Sequence, residues 1–306
     1  MIRYIISRLG QAVLVLIGIS LITFLLTFLV PADPARMIAG RLATPETVAR
    51  IRAELGLDQP LPVQYGRYLW NLLHGDLGRS YAQRIEVTEL LMSRLPATFQ
   101  LMVAGILAEV LLGIPAGILA ALGRSRWPDR LGMVLAFSGV SAPQFAVGLL
   151  LLYLLGYRWP VFPLGGYGTW RHVILPALTL GIAGAGWYAR VMRSAMVEVL
   201  NQHYIRTATA KGLPPTKVVL KHALRNSILP VVSMVGLDIG VFMGGVVVVE
   251  SVFAWPGIGQ LAWQAIQILD IPVIMGVVIL TASFIVLGNL LADLAYPLLD
   301  PRIRYK

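Results

Sequence analysis

Of the 306 residues, 57% are hydrophobic and only 13% charged, and the mean hydropathy is +0.76. An average soluble domain carries about 25% charged residues, so this composition excludes an ordinary soluble domain and points to one integral membrane domain. The chain has no cysteine, which removes disulfides, thiolate metal sites and a cysteine nucleophile together.

The first element is Leu9–Val30, 22 residues without a charge. At about 1.5 Å per residue it reaches across a hydrocarbon core of about 30 Å. Arg3 and Arg8 precede it, as in a signal peptide, but the run exceeds the roughly 7–15 apolar residues of a signal-peptide core. Segment 1–30 therefore reads as an uncleaved anchor. Segment 31–95 is polar enough to lie outside the bilayer. Thr44-Pro45-Glu46 offers an N-cap, a first-turn proline and an early acid, and Gly56 can close the helix they open. Pro60 and Pro62 precede the aromatic-rich Tyr65–Leu73, and Glu86–Leu95 runs as an amphipathic helix into the next span. This is a small helical cap, too short to bury a large core of its own. Gly75-Asp76-Leu77-Gly78 follows no strand and reads as a turn.

Within 96–306, five further apolar runs lie at 97–122, 131–157, 173–189, 228–249 and 272–296. The expected fold is all-α, with six transmembrane helices. If the N-terminus is inside, the inner segments hold 15 basic residues against only Asp129, Glu198 and Asp300, while the outer ones carry ten basic and nine acidic residues. Excess Lys and Arg in short loops mark the cytoplasmic side, which puts both termini there. The formal charge of +10 is thereby explained without nucleic acid. Trp127, Trp159, Trp170 and Trp187 fall near span ends, as rim aromatics do.

Spans in lipid associate where small residues let backbones approach. Three stripes at four-residue spacing are visible: Gly113, Gly117 and Ala121; Ala177, Gly181, Ala185 and Ala189; and Gly236, Gly240 and Gly244. Three carboxylates sit inside spans, where an ionised acid costs about 2.5–3.5 kcal/mol on insertion scales. Glu109 continues the Gly113 row and reads as a seam residue. Asp238 lies about 160° from its glycine stripe; it either faces a wet pathway or neighbouring subunit or is a satisfied, protonated carboxyl. Asp293 lies near the inner end of the last run and reads as ordering the closing segment. Glu250, just past the fifth run and followed by Pro256-Gly257, either helps form an outer gate or belongs to a plain turn leading into a rim helix.

A pump needs an energy source, and none is legible. No lysine lies in a G-x-x-x-x-G-K-[ST] phosphate cradle, and neither G-x-S-x-G nor H-E-x-x-H occurs. His74, His172, His203 and His222 are scattered without ligand spacing, so no metal or cofactor site is expected in the chain. The remaining distinctive segment is the basic inner loop, 190–227. Ala189 to Lys211 contains no helix breaker, Gly212 is a natural stop, and Pro214 or Pro215 suits the first turn of a second helix reaching about Leu224. Val218, Val219 and Leu220 sit among Lys217, Lys221 and Arg225. Two short helices joined by a stiff elbow suit docking on a rigid partner better than they suit topology alone.

This loop, Tyr204-Ile205-Arg206-Thr207-Ala208-Thr209-Ala210-Lys211-Gly212-Leu213, resembles the EAA loop of bacterial ABC-importer permeases, in the branch that handles dipeptides, oligopeptides and nickel. "GDLGRS" (75–80), "LPATFQL" (95–101), "SAPQFAVGLLL" (141–151), "VESVFAWPGIGQL" (249–261) and "NLLADLAYPLLDPRIR" (289–304) are similar to the same branch, so the likeness covers essentially the whole chain. Arg206 stands where the generic motif has glutamate, and Pro230 comes later than in sugar-importer permeases; both departures match the peptide branch. The resemblance implies a type I importer permease whose loop couples to an ATPase through Tyr204, Arg206, Thr207, Ala208, Lys211, Gly212, Leu213, Pro214, Lys217 and His222. It implies a second, similar permease, two ATP-binding subunits or domains that hold ATP and magnesium, and an extracytoplasmic substrate-binding protein. The expected role is that of a non-catalytic subunit importing dipeptides or oligopeptides, with nickel, glutathione or opines as alternatives. A self-contained secondary transporter or channel is the rival class; it would need a coupling-ion site and inverted repeats, and neither is legible.

Overall fold

The computed structural model describes residues 2–29, 33–40, 43–123, 127, 134 and 139–299, and no strand occurs among them. The calls on Arg124, Arg126, Asp129, Arg130, the side chain of Asp293 and the segment 300–306 lie outside the described residues. The chain opens with α1 (Ile2–Leu29). The cap follows as α2 (Pro34–Ala39), α3 (Pro45–Glu54) and α4 (Leu61–Leu73). The Thr44 hydroxyl accepts from Thr47 N at 3.3 Å, and Gly56, at φ +66°, ends the α3 turn as the sequence predicts. Pro60 and Pro62 open the helix that carries the aromatic run. Pro60 is its N-cap and Pro62 sits in its first turn, where a missing N–H costs no helical bond.

Neither α3 nor α4 buries a residue; Arg52 of α3 pairs with Asp33 at 2.5 Å within the cap, and further ties come from the bundle. The Tyr65 hydroxyl lies 3.0 Å from Ser20 Oγ, and the Phe24 ring is 5.3 Å from Tyr65 and 6.0 Å from Tyr68. A second clasp forms where Asp270, fully buried, accepts from the Ser80 hydroxyl at 2.5 Å, from Tyr81 N at 3.0 Å and from Ala82 N at 3.2 Å. Burial and the Asp270 charge push the neighbouring Tyr81 hydroxyl up to about 12.

The bundle is built on α5 (Val87–Leu122) and α7 (Trp170–Leu200), which share the longest seam. Gly113 lies so close to α7 that a Cβ would stand 2.5 Å from Tyr188 Cβ and 2.7 Å from Ala185 O. At Gly117 it would stand 2.6 Å from Ala189 O, and at Gly181, 2.6 Å from Ala108 Cβ. The small-residue stripes of these two helices thus face each other, and residue numbers rise together along the seam. The helices therefore run parallel. Parallel spans require the chain between them to cross back, and the described part of that return is α6 (Gln144–Arg158), whose last turns widen into π geometry.

After α7 come α8 (His203–Ala210), α9 (Pro215–Ser227) and α10 (Leu229–Met243). The sequence leaves Ala189–Lys211 unbroken, but the structure breaks it. Asn201 ends α7 with its side-chain amide on Val197 O at 2.8 Å, and Gln202 is extended; asparagine competes with the helix for backbone partners. Arg190 and Arg193 consequently belong to α7 rather than to the loop. The helix that holds Trp187 continues to Leu200, and Arg190 stacks 4.8 Å from the Trp187 ring centre. A 51° bend separates α9 from α10. Pro230, without an N–H, cannot continue the ladder there.

α11 (Val247–Val252), α12 (Ile258–Gln267) and α13 (Ile271–Leu299) complete the fold. The third glycine stripe meets α13: a Cβ on Gly240 would come within 2.8 Å of Ile285 Cα, and one on Gly244 within 2.7 Å of Thr281 Cγ2. Here the numbers run in opposite senses, so α10 and α13 are antiparallel. Among the described residues, four helices are long and apolar enough to cross a bilayer, and the bent α9–α10 pair makes up to five.

Candidate functional site

The basic loop folds as two short helices around a rigid corner. Gly212, at φ +75°, takes a left-handed conformation that glycine adopts without strain, and Pro214 caps α9 with Pro215 in its first turn. The Asn226 amide donates to the Tyr204 hydroxyl at 2.7 Å, tying α9 back to α8. Ile205, Ala208, Val218, Val219 and Ala223 are buried in a core shared with Tyr188, Met192 and Met196 of α7. Ala208, which the resemblance counts among the contact positions, therefore anchors the loop and offers no surface; Val218 and Val219 do the same. His222 and Leu213 are half-buried. Tyr204, Arg206, Thr207, Lys211, Gly212, Pro214, Lys217 and Leu220 are exposed, Leu220 at 61%. The result is a cationic ridge with apolar points, seated on the end of a long helix.

The second cluster lies in the bundle. The sequence treats Glu109 and Asp238 as separate, but the structure brings them together. The Tyr188 hydroxyl donates to Asp238 Oδ2, and the Glu109 carboxyl stands within hydrogen-bonding range of Asp238. Each group comes from a different helix: α5, α7 and α10. Glu109 has the space because Gly184 presents no side chain, and a Cβ there would overlap the carboxyl. Glu109 is 5% exposed with Oε2 unpartnered, whereas Asp238 is half-buried. Asp238 points away from the Gly240–Ile285 seam, as its helical position predicts. Tyr188 escaped the sequence reading; its one signal is its place beside Ala189 in the α7 stripe.

Glu250 is fully buried in α11. Its Oε2 accepts from Gln260 N at 2.6 Å, across a turn where Gly257 leaves room for the carboxylate. Burial pushes this carboxyl up, and backbone N–H groups, Gln260 first, pull it back. The hairpin it staples is tied to α5: the fully buried Trp255 donates from its indole to Ala97 O at 2.9 Å, and Ile258 N donates to Thr98 Oγ1 at 2.8 Å. Residues 250–260 are thus hydrogen-bonded to α5 at two points. Among the described residues no three His, Asp or Glu side chains converge as a metal site.

Comparison with known proteins covers the whole fold. The family described as binding-protein-dependent transport system inner membrane component matches residues 113–305, and its N-terminal counterpart matches residues 1–102. The glutathione transport system permease protein GsiC of Salmonella paratyphi A is 45% identical over 306 residues, 100% of both chains. The protein of the same name from Pectobacterium atrosepticum is 44% identical over the same span. Among solved structures, an inward-facing form of the methionine ABC transporter MetNI superposes with a TM-score of 0.59 at 18% identity, covering 69% of this chain and 96% of that one.

Proposed function

The chain belongs to the binding-protein-dependent transport system inner membrane components, the multi-pass permease subunits of ABC importers, and from that premise we propose that it carries glutathione or a closely related short peptide across the cytoplasmic membrane. The sequence reading puts dipeptides and oligopeptides first and glutathione among the alternatives; the full-length relatives favour glutathione, itself a tripeptide. The full-length identity to glutathione permeases carries this reading.

In the proposed mechanism the chain crosses the membrane six times with both termini cytoplasmic. It pairs with a second permease and receives cargo from an extracytoplasmic binding protein. The α8–α9 corner sits in a groove of a partner that burns ATP with magnesium. Nucleotide-driven closure of the partners moves each corner as a rigid body, α7 and α10 tilt with it, and the pathway between the permeases opens outward. The Glu109–Asp238–Tyr188 junction lies where α5, α7 and α10 meet, so tilting α10 against α7 alters what Asp238 touches. We assign Asp238 to the pathway side on its partial exposure.

Liposomes holding the complex copurified with its ATPase, supplied with ATP inside and the binding protein outside, will accumulate labelled glutathione; liposomes holding this chain alone will not. Accumulation by the chain alone would establish the secondary-transporter rival. In the same assay Asp238→Asn will lower uptake about tenfold, the scale of one lost charge-assisted hydrogen bond, with assembly unchanged. Unaltered uptake removes Asp238 from the pathway.

A further inference from the structure

Between the cap and the last span lies a cavity of about 230 Å³, apart from both the α8–α9 corner and the Glu109–Asp238–Tyr188 junction. Its wall is formed by α4, the Gly75–Tyr81 turn and the first turns of α13. Arg67 and Asp76 both line it, and they form no ion pair with each other or with any other described residue, although Asp76 Oδ1 accepts from Gly78 N at 2.8 Å. The buried Tyr68 hydroxyl has no hydrogen-bond partner. Burial and the neighbouring Tyr65 push that hydroxyl up to about 12, so it remains a donor in need of an acceptor. Gly56 lets the Arg67 guanidinium lie against the α3–α4 turn, where a Cβ would collide with it. One cation, one anion and one free donor around a single cavity complement a zwitterion.

The cavity has an apolar continuation. Ile271 and Met275 line both it and a groove of about 260 Å³ between α1 and α13. Ile19 and Val278 join that groove to another of about 380 Å³ further along the same two helices, where Gly244 also lines it. On the outer side of α4, Trp70 is 65% exposed and Leu73 81% exposed, the pattern of a helix lying at a membrane interface. A polar chamber at interfacial depth that leads into an apolar groove along two spans has the shape of a lipid.

We propose that this seam binds a phospholipid with a phosphate–ammonium headgroup, of the phosphatidylethanolamine class, from the leaflet facing the cap. Its phosphate lies on Arg67 and Tyr68, its ammonium on Asp76, and an acyl chain fills the α1–α13 grooves. A guanidinium with a hydroxyl donor suits a phosphate diester. Asp76 selects a headgroup amine with N–H donors over choline, which has none, and over glycerol, which has no charge. The site thus clamps the cap to the bundle through a bound lipid, and it stands independently of which cargo the transporter carries.

Native mass spectrometry of the purified complex, incubated with equal amounts of phosphatidylethanolamine, phosphatidylcholine and phosphatidylglycerol, tests this. Wild type will retain the ethanolamine lipid preferentially. Arg67→Ala combined with Asp76→Ala will lower its retention about tenfold, and Tyr68→Phe will lower it by less. Val278→Trp, which fills both apolar grooves without touching the headgroup chamber, will also release it. Equal retention of the three lipids, or a double variant that holds lipid as wild type does, overturns the proposal. So does displacement by soluble glycerophosphoethanolamine at the lipid's own concentration, because the grooves would then contribute nothing.

Discussion

A chain with valine at both Gly113 and Gly117 is expected to lose its folded bundle. At these positions α5 presses directly on the backbone of α7: the nearest backbone atoms to an added Cβ are Ala185 O at 2.7 Å and Ala189 O at 2.6 Å, with Arg193 N at 3.1 Å. Backbone cannot rotate away as a side chain can, so the two helices must separate. Overpacking costs about 1–3 kcal/mol per site, and two sites in one seam act together against a total stability of only about 5–15 kcal/mol. Separation also pulls Glu109 of α5 from the space beside Gly184 of α7. The expected result is a membrane level several-fold below wild type, with early aggregation on heating in detergent. Gly18→Val is the control, since nothing lies within 4 Å of a Cβ there. A double variant that purifies at wild-type yield and unfolds at the wild-type temperature would show that the seam is not where the bundle is held.

That seam was legible in sequence because its signal is local. Glycine and alanine at four-residue spacing mark one face of a helix, and the bilayer leaves close packing as the chief reason for such a face. The corner at Gly212 and Pro214-Pro215 was legible for the same reason, as were the Thr44 cap and the run lengths of the long spans. Facts about two helices at once were not. Glu109 and Asp238 meet only because of how α5 and α10 are rotated about α7, and nothing in either helix alone encodes that angle. The Ser80–Asp270 clasp joins residues 190 positions apart, and an aspartate before a helix looks in sequence like an ordinary cap. The break at Asn201-Gln202 went unseen because it carries neither glycine nor proline. Its cause is a side chain turning back on Val197. The buried roles of Ala208, Val218 and Val219 were hidden in the same way: the resemblance supplied contact positions, but only the packing against Met192 and Met196 separates those that face out from those that hold the loop in place.

That division decides how the loop works and sets the second large expectation. Gly212→Pro, and separately Lys211→Glu with Lys217→Glu, will abolish coupled uptake while the partner ATPase keeps hydrolysing at its basal rate. Proline fixes φ near −65°, whereas Gly212 sits at +75°, so the corner must reopen and α9 must leave its angle to α8. The inner face of the loop stays anchored through Ile205, Val218 and Ala223, all buried, so the bundle itself should survive. The lysine reversals leave the backbone alone and change only the exposed ridge. If the groove complements this cationic ridge, juxtaposing like charges costs several kcal/mol, about two orders of magnitude in docking affinity. The two variants therefore fail for different reasons, one by geometry and one by charge. Added salt should partly restore docking of a loop that carries a single lysine reversal, but should do nothing for Gly212→Pro. Parallel measurement of ATP hydrolysis and substrate accumulation in one liposome preparation reads both. If uptake stays tied to hydrolysis in either variant, force must enter the membrane elsewhere. Another route on this side would be the last turns of α7, up to Leu200.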